Sequence, residues 1–140
     1  MKNILNLMVF TVVAVFTQVA SAHSYDAASR IYGWWDVETP LVDNGFVYST
    51  GQIYFDDQGI TFETSCSFHG GLEMKAQVSS PVSYSDYDFI VLQNQQAVTR
   101  SGNATCEASL AAGPIEYILR DSRHMEIFNR NSGFHMELVK

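Results

Sequence analysis

From Ile31 to the C-terminus, apolar residues recur at every second position. That period belongs to strands with one buried and one wet face. Ile53 and Phe55 alternate with Gln52, Tyr54 and Asp56. Ile60, Phe62 and Thr64 run in register to Cys66, between Thr61, Glu63 and Ser65. Leu72, Met74, Ala76 and Val78 alternate with Glu73, Lys75, Gln77 and Ser79. Cys106, Ala108 and Leu110 follow the same rule, as do Phe134, Met136 and Leu138. Turn-forming tracts separate these runs: Asp56-Asp57-Gln58-Gly59, His69-Gly70-Gly71, Ser101-Gly102-Asn103, Ala112-Gly113-Pro114 and Asn131-Ser132-Gly133.

The pattern predicts strands near 31–39, 50–56, 60–67, 72–79, 87–93, 104–110, 115–120, 124–129 and 133–139, with a short further piece at Val82 to Tyr84. His23 to Arg30 reads as a polar lead-in with room for one helical turn. Closely spaced hairpins favour an all-β fold. The expectation is an antiparallel up-and-down barrel of about eight or nine short strands, because closure removes exposed edges. A two-sheet β-sandwich is the alternative. No repeat or linker divides residues 23–140, which read as a single domain.

The first segment follows a different rule. Ile4 to Phe16 is almost wholly apolar behind Lys2, and Ala20-Ser21-Ala22 supplies the small-x-small pattern of a cleavage site. Residues 1–22 therefore read as a cleaved signal peptide, and the expected location is periplasmic or extracellular. The apolar run is too short to span a bilayer, so no transmembrane segment is expected in the mature chain. In an oxidising compartment two cysteines have one pairing, and Cys66 and Cys106 are expected to form a disulfide. Both share the parity of their apolar neighbours and should point inward.

Charge narrows the class of partner. The chain carries 8 Lys and Arg against 15 Asp and Glu, a formal net charge of −7. Removing the signal removes Lys2 and leaves the remainder more acidic. Such a surface repels phosphate backbones and argues against nucleic acid.

Candidate chemistry is sparse. His23, His69, His124 and His135 form none of the close pairs that metal-binding motifs use. Cleavage after Ala22 would make His23 the mature N-terminus, where its amine and ring nitrogens suit Cu(II). Asp56/Asp57 and Asp86/Asp88 lie in turn-like segments, where Asp bonds its own backbone. No G-x-S-x-G elbow is present. The reading is a non-catalytic protein with no cofactor.

Aromatic residues gather in the N-terminal half. A small barrel either fills its interior with such side chains or leaves a pocket for one apolar ligand. Trp34 and Trp35 are adjacent on a strand and face opposite sides, so one should enter the core and the other should be exposed. Trp34, Trp35, Tyr48 and Tyr54 are the candidate ligand-binding residues.

Gly33-Trp34-Trp35 resembles the G-x-W motif on the first strand of lipocalins and the wider calycin barrels. Ser85-Asp86-Tyr87 is loosely similar to that family's T-D-Y loop. The family's late Arg motif and C-terminal helix have no counterpart. The resemblance implies an eight-stranded barrel with Trp35 closing one end, compact rather than deeply hollow. It also implies a binding protein for a small apolar ligand or a protein surface. Bacterial lysozyme inhibitors, which are short disulfide-stabilised periplasmic β-proteins, supply the alternative. An acidic domain suits such a basic hydrolase, and Asp56, Asp57, Asp86 and Asp88 would then face it.

Overall fold

The computed structural model describes residues 28–140. The signal segment and His23 lie outside the described residues. Ala28–Ile31 forms one 3-10 turn. The strands are β1 Gly33–Val37, β2 Val42–Asp43, β3 Val47–Phe55, β4 Gly59–Phe68, β5 Glu73–Tyr84, β6 Asp88–Val91, β7 Gln95–Ser101, β8 Ala104–Leu110, β9 Gly113–Leu119, β10 His124–Asn129 and β11 Phe134–Val139. Among the described residues, no helix is long and apolar enough to cross a membrane.

Eight strands close a ring. Going round it, β1, β3, β4, β5, β6, β9, β10 and β11 each pair antiparallel with the next, and β11 pairs back to β1. The order is that of the chain itself, interrupted only by β2 and by β7 and β8. This is the up-and-down barrel that the alternating pattern predicts. The alternation is literal in the wall: along β5, Met74, Ala76, Val78 and Ser80 are buried and the residues between them are exposed.

Up-and-down order sends successive connections to opposite ends. One end carries the 3-10 turn, the β3–β4, β5–β6 and β9–β10 turns and Lys140. The other carries the β1–β3 connection with β2, the β4–β5 turn, the long β6–β9 connection and the β10–β11 turn. The β3–β4 turn is drawn tightly onto β5. A Cβ on Gly59 would collide with the carbonyl oxygen of Ser80, so only glycine fits that approach.

The β6–β9 connection contains β7, which the alternating pattern does not predict, and β8, which it predicts at 104–110. β7 and β8 pair only with each other. The hairpin folds over the overhanging halves of β4 and β5. Cys66 on β4 and Cys106 on β8 are bonded, with Cα atoms 5.9 Å apart. Cys106 Sγ lies 3.7 Å from the carbonyl oxygens of both Thr64 and Met74. Thr99 Oγ1 donates to the Lys75 carbonyl at 2.7 Å. One wall of the barrel is therefore locally two-layered, while the fold as a whole is the closed barrel. Thr64, trapped beneath the hairpin, is buried with no hydrogen-bond partner for its hydroxyl. Such a group costs about 1–3 kcal/mol, which the surrounding packing must offset.

Two expectations are refined. The first strand begins at Gly33 rather than at 31, because Ile31 belongs to the 3-10 turn and points fully inward. The piece at Val82 to Tyr84 continues β5 and pairs with β6.

Candidate functional site

The two ends of the barrel differ in kind. The end bearing the 3-10 turn is plugged by aromatic side chains. Trp35 is 1% exposed, and its Nε1 donates to the Ile31 carbonyl at 2.7 Å. Lys140 Nζ sits 4.5 Å from the Trp35 ring centroid and donates to the Tyr32 carbonyl at 2.8 Å. Phe55 meets Phe89 edge-on at 5.4 Å, and Phe89 stacks on Tyr117 at 6.2 Å. Tyr32 meets Tyr84 at 5.8 Å.

The two inner tyrosines are tied to the turns that close this end. Tyr84 donates its hydroxyl to the Gly59 carbonyl at 3.1 Å. The Tyr117 hydroxyl is shared between the carbonyls of Asp86 at 3.1 Å and Ser85 at 3.3 Å. Burial, then the charge of neighbours including Tyr32 and Asp56, pushes the Tyr84 phenol well above its ordinary value of 10.0. Burial, then Asp86, pushes Tyr117 upward, with Arg30 opposing. The folded chain therefore holds both phenols neutral. Their contribution to stability is complete below pH 10.0 and declines as pH rises above it. An alkaline titration followed by phenolate absorbance should show two late-ionising tyrosines that titrate together with loss of the near-ultraviolet circular dichroism. A single early transition for every tyrosine, with the fold intact, would refute this.

The opposite end is hollow. A cavity of about 280 Å³ enters the barrel there. Its walls are Ile53, Ile60, Phe62, Phe89, Val91 and Ile127, all buried core residues. Ile53 is the cross-strand partner of Trp35, and Phe89 packs on Phe55, so the aromatic plug is also the cavity floor. The mouth is framed by Ser109 to Ile115, by Asn129 and Ser132, and by Phe134 and Met136. No lining side chain is ionisable.

The polar atoms at the mouth are mostly spent. Asn129 Nδ2 donates to the Pro114 carbonyl at 2.8 Å, and its Oδ1 accepts from the amides of Asn131 and Ser132. Asn129 thus fixes the β10–β11 turn against the start of β9. Ser132 Oγ accepts from the Phe134 amide at 3.3 Å and keeps its own hydrogen. The Ser109 hydroxyl has no partner among the described residues. Asn94 Oδ1 accepts from the Ala112 amide at 2.7 Å, which holds the rim segment in place.

The four aromatic residues singled out from the sequence fall elsewhere. Trp35 belongs to the plug, as its motif implies. Trp34 is 48% exposed and packs against Tyr54 at 5.1 Å on the outer face of the barrel. Tyr48 is exposed beside Phe46 and His69, in a shallow depression near β2. None of the four lines the cavity. A run of small residues, Ala111-Ala112-Gly113, crosses its mouth. Small side chains where the alternation breaks off were the available signal.

The polar candidates are dispersed. Asp56 and Asp57 in the β3–β4 turn, with Asp86 and Asp88 around the β5–β6 turn, gather at the plugged end, away from the cavity mouth. Asp56 Oδ1 accepts from the amides of Gln58 and Gly59, a turn role. Asp121 accepts from the Arg123 amide and from His124, and these bonds hold its carboxyl below the usual carboxylate value. On the outer face of β10 and β11, Glu126, His135 and Glu137 bring one ligand atom each within 4.8 Å of one another. Arg120 already engages Glu126 at 2.8 Å, and His135 and Glu137 are exposed, so the group reads as a charged surface cluster.

Fold and cavity together define a small antiparallel eight-stranded barrel, consistent with a calycin-like one, plugged at one end and hollow at the other. No protein-family model, curated protein or solved structure matches the chain.

Proposed function

We propose that this chain is a non-catalytic, lipocalin-like binding protein that takes a small apolar ligand into the hollow end of its barrel. The observation that carries the reading is the cavity: about 280 Å³, with aliphatic and phenylalanine walls. A cavity of about 150 Å³ lined this way admits benzene, so this one suits a ligand roughly twice that size. Convergence of apolar walls with a few fixed polar atoms at the rim is the usual build of a small-molecule site. The disulfide fits a non-reducing compartment, and with the predicted signal peptide it supports a periplasmic or extracellular location.

The test is titration with N-phenyl-1-naphthylamine, an uncharged probe that fluoresces when it leaves water. We expect saturable binding of one probe per chain, with a dissociation constant on the order of micromolar. Ala111→Trp places a large side chain at the exposed rim of the cavity. It should abolish the fluorescence rise and leave the circular dichroism and the melting curve of the parent. Undiminished probe binding by Ala111→Trp would remove the cavity as the site.

A further inference from the structure

We infer that the cavity selects an uncharged ligand with one hydrogen-bond-accepting group at its outer end, such as an alcohol, ester or ketone, and rejects carboxylates and ammonium ions. This rests on the binding reading above and adds the chemistry of the ligand.

Three observations carry it. First, none of the lining side chains is ionisable, so an ionised head that loses water at the mouth meets no counter-charge there. An unpaired ion in apolar surroundings is far more costly to bury than a neutral polar group. Second, the nearest cation by chain position is committed. Arg130 lies in the β10–β11 turn beside Ser132, but its Nε is 3.3 Å from Glu116 Oε2 and its guanidinium lies over the Phe128 ring at 5.6 Å. The chain's charge of −7 opposes an anion further. Third, two hydroxyls at the mouth are still able to donate. Ser132 Oγ already accepts a bond and retains its hydrogen, and the Ser109 hydroxyl has no partner among the described residues. Both line the mouth and both are exposed, so they meet the outer end of a ligand whose apolar part lies against Ile53, Phe62 and Ile127. Asn129 has both sides of its amide engaged and serves as scaffold.

The experiment is displacement of N-phenyl-1-naphthylamine at neutral pH by n-decanol, methyl nonanoate, decanoate and decylammonium. These share nearly the same length and differ at the head. The alcohol and the ester should displace the probe at concentrations at least about tenfold lower than either ion. In the Ser109→Ala/Ser132→Ala variant, the alcohol and ester should lose roughly three- to tenfold more affinity than the probe does. Decanoate or decylammonium competing as well as the alcohol overturns this inference and leaves the binding reading standing. An unchanged alcohol affinity in the double variant removes the serines from it. No probe binding by the parent chain defeats the binding reading itself, and the inference with it.

Discussion

Trp35→Ala should lower the free energy of unfolding by about 3–5 kcal/mol, while Trp34→Ala, one residue away, should cost less than about 1 kcal/mol. The difference arises from strand geometry. Trp35 is the largest fully buried side chain among the described residues, and Trp34 is 48% exposed. Removing the Trp35 indole leaves a cavity in the barrel core, strips the Ile31 carbonyl of its 2.7 Å donor and leaves Lys140 Nζ without the ring it covers. The first term dominates, because cavity formation in a packed core scales with the volume lost. A loss of 3–5 kcal/mol corresponds to a fall in melting temperature of roughly 10–25 °C for a domain of this size. Trp35→Phe should recover much of this and still fall short of the parent, since no phenylalanine atom can replace the Nε1 donor. Equal melting temperatures for Trp34→Ala and Trp35→Ala would show that Trp35 does not plug the barrel.

Cys66→Ala/Cys106→Ala should cost about 2–5 kcal/mol, and the loss should begin locally. The bridge spans 40 residues of sequence, a closure worth about 4 kcal/mol on the chain-entropy model. It also holds a hairpin that shares no strand pairing with the barrel wall. β7 and β8 pair only with each other, and most of β7 is exposed. Without the bridge, the hairpin keeps the Thr99 bond to Lys75 and the packing of Ala108. Hydrogen exchange should show β7 and β8 losing protection first, while β9, β10 and β11 stay protected. Exposure of Met74 and Ala76 should raise binding of a hydrophobic dye at the wall of the barrel, even as Ala111→Trp blocks its mouth. Uniform loss of protection across all strands would instead mean that the hairpin is integral to the barrel.

The eight wall strands were legible because each has one wet face, and a half-buried strand writes its geometry as alternation. Both cysteines were legible for the same reason, by parity with Phe62 and Ala108. β7 was not, because Gln95-Gln96-Ala97-Val98-Thr99-Arg100-Ser101 is wet on nearly both faces and carries no strong period. β2 is two residues long, too short to leave a pattern. The plug was partly legible: Trp35 has the place its motif implies, and the adjacent Trp34 faces out. The cavity was not. Its lining comes from β3, β4, β6, β8, β9, β10 and β11, and no spacing along one segment encodes where seven strands leave room. Aromatic density drew attention to Tyr48 and Tyr54, whereas the space lies where Ala111, Ala112 and Gly113 supply little bulk.

The proposed ligand site is the hollow end of this barrel. The most direct measurement is methyl nuclear magnetic resonance of the isoleucine and valine side chains during titration with n-decanol. The predicted result is saturable shifts at Ile53, Ile60, Val91, Ile115 and Ile127, with the signals of Val42 and Val47 near Tyr48 unmoved. Shifts confined to Val42 and Val47, or no saturable shift at the five cavity methyl groups, would contradict it.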